Sequence, residues 1–135
     1  MGFVDDISDY RSLAIVGLEK NTGKTECLNY ILRRIKDSAD RFALTSIGID
    51  GENRDHRTAL GRLVIARAKT SGKVLLSGPA DTAGLKSLIR HMKDFGVRTT
   101  LVDGALSRLS LASPTVTEAM VLATGAAVSG NIREL

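Results

Sequence analysis

Residues 17 to 25, Gly-Leu-Glu-Lys-Asn-Thr-Gly-Lys-Thr, constrain this chain more than any other stretch, because of what flanks them. Leu13 to Val16 form a short apolar run suited to a buried strand, and Cys27, Leu28, Ile31, Leu32 and Ile35 then repeat at helical spacing. Strand, glycine turn, lysine, hydroxyl and helix follow one another in the order of a phosphate-gripping loop. Each residue type has a physical task in such a loop. Gly17 and Gly23 let backbone amides close on phosphate oxygens, Lys24 supplies positive charge, and the Thr25 hydroxyl is placed to ligate magnesium. The helix opening over Gly23 to Thr25 adds the positive end of its dipole. The candidate nucleotide contacts are therefore Gly17, Glu19, Lys20, Asn21, Thr22, Gly23, Lys24, Thr25 and Glu26. The loop is one residue longer than the common pattern, so Leu18 occupies the usual first-glycine position.

In a parallel sheet the loops leaving the carboxyl ends of the strands share one edge, so acids ending other strands become site candidates. Phe42 to Ile49 reads as a second strand ending at Asp50, and Val97 to Val102 as a later strand ending at Asp103. Thr25, Asp50 and Asp103 are the candidate magnesium ligands, and Lys24 and Asp103 the candidate catalytic pair. Asp103 before Gly104 is also what an ordinary turn start looks like.

Between these acids the pattern predicts a strand over Leu60 to Arg67, a turn at Thr70 to Gly72 and another strand over Lys73 to Ser77, a possible hairpin. Asp81 is placed to cap a helix whose apolar row is Leu85, Leu88, Ile89 and Met92 and which stops at Gly96. Arg108 lies in a Ser-rich connection, either near a phosphate or in solvent, and Glu118 to Gly125 reads as a sixth strand. Met1 to Ser12 has the makings of one or two amphipathic helical turns against the sheet edge. The expected fold is α/β, a three-layer arrangement on a mainly parallel sheet of about six strands, with one sheet face thinly covered by helices.

Composition narrows the function classes. A chain of 135 residues reads as a single domain, with 43% hydrophobic and 25% charged residues. No apolar run approaches the ~20 residues of a membrane span, and the acidic start at Asp5, Asp6 and Asp9 does not resemble a secretory signal, so a cytoplasmic address is expected. Cys27 is the single cysteine, which excludes an intrachain disulfide and a cysteine zinc cluster and suits a buried structural thiol. The net charge of +4 is scattered: Arg33, Arg34 and Lys36 on one helix, and Lys86, Arg90 and Lys93 on another, have the spacing of solvated helix faces. With five aromatic residues and none interleaved with these cations, a nucleic-acid partner is not expected. His91 and His56 lack visible partners and read as surface or packing residues.

The residues also carry a resemblance. The longer loop is similar to that of dethiobiotin synthetases, and Lys20 to Thr25 to that of small molybdopterin-guanine dinucleotide accessory GTPases, both P-loop NTPases. Leu13 to Thr25, Thr45 to Glu52, Thr58 to Arg62, Val102 to Arg108 and Leu122 to Ala126 together resemble the reactivase subunits of lysine 5,6-aminomutase, found with amino-acid fermentation enzymes. The resemblance implies a P-loop NTPase fold and a magnesium-dependent nucleotide switch that exchanges damaged cobalamin on an aminomutase, beside a second ATPase subunit or as a homodimer. Glu19 or Lys20 would act within the loop or across a dimer. Relative to that family the chain is expected to be shortened between the 45–52 and 58–62 blocks and after the last strand. A guanine-specific Asn-Lys-x-Asp signature is absent, which favours ATP over GTP. The alternatives are a small ligase or kinase-like enzyme resembling dethiobiotin synthetase, and an interaction module that binds nucleotide without hydrolysing it.

Overall fold

The computed structural model describes residues 2–47, 64–79, 81–105, 115–126, 129–131 and 133. In chain order the elements are α1 (Phe3–Ser8), β1 (Ser12–Gly17), α2 (Lys24–Ile35), β2 (Arg41–Ser46), α3 (Thr82–Asp94), β3 (Val97–Ala105) and β4 (Ala119–Ala123). The strands form one all-parallel sheet in the order β2-β3-β1-β4. β1 is central and buried along its whole length, which is why the run from Leu13 to Val16 is continuous rather than alternating in hydrophobicity.

Side chains alternate across a strand, so neighbours on β3 report the two faces of the sheet. Leu101 packs with Leu13 and Ile15 against Ile31 and Ile35 of α2 and Ile7 of α1. Val102, one residue on, packs with Ile47 and Val116 against Leu85 of α3. The helices therefore cover opposite faces, giving three layers. Coverage is uneven, as the helix count suggests: on β4, Ala119 and Val121 reach the α2 side, whereas Met120 and Leu122 stay exposed on the other.

Local signals account for the element ends. The Asp81 carboxylate accepts a hydrogen bond from the Gly84 amide at 2.7 Å and starts α3, and Gly96, at φ 75°, lets the chain leave it. Asp5 accepts from the Gly2 amide at the start of α1. That short helix packs on α2 and, through Ile7, on Leu13 and Leu101 of the sheet.

Two expectations need correction. The described residues contain four strands, and the expected hairpin over Leu60–Arg67 and Lys73–Ser77 does not form in its described part: residues 64–76 carry no strand and Ser77 makes only an isolated bridge. The apolar side chains there have nothing to cover, with Leu75 93% exposed, and a two-stranded hairpin without a packed face is marginal in water. What anchors the segment is β2: the Ser46 hydroxyl donates to the Leu76 carbonyl and accepts from the Gly78 amide. Gly78 passes so close over the Ser46 carbonyl that no side chain fits at position 78. Asp50, His56 and Arg108, with the ends of the second strand and of the Ser-rich connection, lie outside the described residues.

Candidate functional site

The site lies at the carboxyl edge of the sheet. β1 ends at Gly17, opposite Ala105 of β3 and Ala123 of β4, so the 18–23 loop leaves from the middle of that edge. Gly17 is required by close approach: a Cβ there would meet the Thr22 Oγ1 at 2.8 Å and the Glu19 carbonyl at 3.3 Å. Thr22 is buried, and its hydroxyl donates to the Glu19 carbonyl at 2.9 Å, pinning the loop across its own base. The Leu18 amide donates to the Ala123 carbonyl at 3.0 Å, and Gly125 lies against the backbone of Thr22, so the end of β4 supports the loop from outside.

Beyond Thr22 the backbone takes an unusual course. Asn21 has φ 63° and Gly23 φ 86°, both in the left-handed region, on either side of Thr22. Left-handed residues within a turn are one way in which backbone amides come to line an anion-binding concavity. Gly23 is also the N-cap of α2, which has no side-chain cap; its first in-helix bond is Cys27 amide to Gly23 carbonyl at 2.9 Å. The amides of the first turn therefore lack intrahelical acceptors. Glu19, Lys20, Asn21, Thr25 and Glu26 are exposed around this opening.

Alternation along β3 puts Asp103 on the face that carries Leu101, beside Ile15 and under the start of α2. Lys24, the first residue of α2, reaches it: Nζ lies 2.7 Å from Oδ1, with the side chains 21% and 23% exposed. That oxygen is buried and has no other partner among the described residues. The structure thus brings the two candidate catalytic residues, the loop lysine and the acid of β3, into direct contact. Thr25 lies on the first turn of α2 beside them, and Asp50 is outside the described residues.

No group of three or more His, Cys, Asp or Glu side chains that could hold a metal occurs among the described residues. A magnesium ion here would take Thr25 and Asp103 from the protein and its remaining ligands from phosphate and water, the usual arrangement for this ion. Two other expectations resolve plainly. His91 is engaged structurally, its Nδ1 donating to the Ser87 carbonyl at 2.7 Å. Cys27 is half-buried rather than fully buried, packing against the core on the α2 face, and this burial pushes its thiol above the ordinary range.

These features define a class, an α/β protein with a four-strand parallel sheet and a lysine-bearing glycine loop at the carboxyl edge of its central strand. Comparison with protein-family models, curated proteins and solved structures yields no match. No helix among the described residues is long and apolar enough to cross a membrane.

Proposed function

We propose that the carboxyl-edge loop binds the phosphates of a nucleoside triphosphate, with magnesium. The observation that carries this reading is the convergence of Lys24, the left-handed turns at Asn21 and Gly23, and the uncapped start of α2 on one opening beside Asp103. Backbone amides of residues 21 to 26 would hold the phosphate oxygens. Lys24 would add charge to them, leaving Asp103 and Thr25 to face the metal. Bound magnesium would supply neutralisation of phosphate charge. Phosphate oxygens and Asp103 would compete for the same ammonium, so nucleotide binding would loosen the tie between α2 and β3. A partner that reads that tie would sense nucleotide. The sequence resemblance alone supports an aminomutase as the partner, and the lack of a guanine signature supports ATP over GTP.

A thermal-shift titration with ATP, GTP and their diphosphates, with and without magnesium, tests this reading. Triphosphate should raise the melting temperature, Lys24→Ala should abolish the rise, and Thr25→Ala should remove only the magnesium-dependent part. An equal rise in the Lys24→Ala protein would overturn the proposal. Phosphate release, measured alongside, separates a turning-over switch from a binding module, and stimulation by small carboxylic acids would favour the ligase reading.

A further inference from the structure

At the opposite edge of the sheet, where the strands begin, lies an open groove of about 850 Å³. Ser12 lies in this groove and Gly17 at the loop, so the two places are roughly 17 Å apart along β1. One wall is a stripe of α3, with Lys86, Ile89, Arg90 and Lys93 falling at helical repeat. The rest of the lining comes from residues 8–12, the start of β3 and residues 115–118, with Val97 and Val116 among its apolar groups.

Charge is concentrated there. Five cationic side chains, Arg11, Lys86, Arg90, Lys93 and Arg98, meet two acids, Asp9 and Glu118, leaving a local net charge of +3 out of +4 for the whole chain. Arg98 is occupied, donating to the Ser8 carbonyl at 2.9 Å and pairing with Asp40 at 3.3 Å. Glu118 is occupied too, accepting from the Arg11 backbone amide at 2.7 Å. Arg11, Lys86, Arg90 and Lys93 have no ion-pair partner among the described residues. A solvated helix face explains three cations on α3; it does not explain why Arg11, just before β1, shares one concave lining with them and with apolar groups.

We infer that this groove is a second binding site, for a compact organic anion bearing two or more phosphate or carboxylate groups. Its volume is that of a small-molecule site. Cations from α3 and from Arg11 suit a ligand charged at more than one position, and Ile89, Val97 and Val116 suit its carbon body. An extended polyanion is a poorer fit, since these cations gather around one concave space and Tyr10 is the lone aromatic residue in its lining. The inference does not depend on what the carboxyl-edge loop binds.

The test uses the full chain carrying Lys24→Ala, which silences the loop, titrated with citrate and separately with pyrophosphate while amide resonances are followed by NMR. Ile89, Arg90, Val97 and Glu118 should shift, with Gly17 to Thr25 unmoved, and the tighter of the two probes tells carboxylate from phosphate ligands. Adding Lys86→Ala, Arg90→Ala and Lys93→Ala should weaken binding by about tenfold or more at unchanged far-UV circular dichroism. If that combination unfolds, Arg11→Gln, whose backbone contacts persist, should weaken binding about threefold. Absence of shifts in the groove, or affinity unchanged in the folded variants, would overturn the inference. So would tighter binding of hexaglutamate or oligothymidylate than of either small anion, because the occupant would then be a polymer.

Discussion

If Lys24 and Asp103 act as a pair, removing either alone should cost more stability than removing both. At 2.7 Å and an effective dielectric constant of about 20, the gross attraction is about 6 kcal/mol. Desolvation and side-chain ordering offset most of it. With 21% and 23% of the side chains exposed, the pair lies between surface bridges worth about 0–1 kcal/mol and buried ones costing about 3–5 kcal/mol to break, so a coupling of about 1–2 kcal/mol is expected. Asp103→Asn keeps the shape and removes the charge, and Lys24→Met leaves the buried Oδ1 without its cation. For 135 residues such a loss lowers the melting temperature by roughly 4–7 °C. Urea denaturation of the parent, Asp103→Asn, Lys24→Met and the double variant closes a mutant cycle. Additivity within about 0.3 kcal/mol would show that the two side chains are neighbours without being coupled.

Two glycines of the loop should fail for different reasons. Gly17→Ala places a Cβ against Thr22 and the Glu19 carbonyl and should distort the loop, lowering stability by about 1–3 kcal/mol, whereas Gly23→Ala meets nothing within 4 Å and should cost about 1–2 kcal/mol from its left-handed backbone alone; denaturation with crystal structures of both variants distinguishes them. Asp81→Ala removes the cap on Gly84 and should cost about 1 kcal/mol, with amide exchange accelerating first at the start of α3. The Cys27 thiol is held protonated by burial, so iodoacetamide should react more slowly with folded than with urea-unfolded protein at mildly alkaline pH. Because the folded-state value is the raised one, the thiol's contribution to stability is complete below the ordinary thiol range and is lost as pH rises through the folded value, a loss that Cys27→Ser should remove.

The β1–loop–α2 unit was legible because its apolar period, glycines and lysine all specify the same geometry, and α3 because cap, period and terminal glycine agree. The stretch around Val64 and Leu75 was misread because a β-rich apolar run looks alike whether it is packed between layers or left in water. The meeting of Lys24 with Asp103 depends on two facts that the spacing of residues does not contain, the adjacency of β1 and β3 and the face on which each strand ends. The groove cations were visible as a helical stripe, but only the tertiary structure brings Arg11 into the same lining.

The clasp of Leu76 and Gly78 on Ser46 sets where the chain tolerates insertion and deletion. The polypeptide leaves the end of β2 and returns to the same residue about thirty positions later, so the excursion begins and ends at one point of the sheet. Closing a loop of this size costs little more as it lengthens, about 0.6 kcal/mol per doubling. Residues added or removed between Ser46 and Leu76 should therefore cost little and leave β1 and the loop unstrained. Ser46 with Gly78 marks the boundary at which such a change would be absorbed.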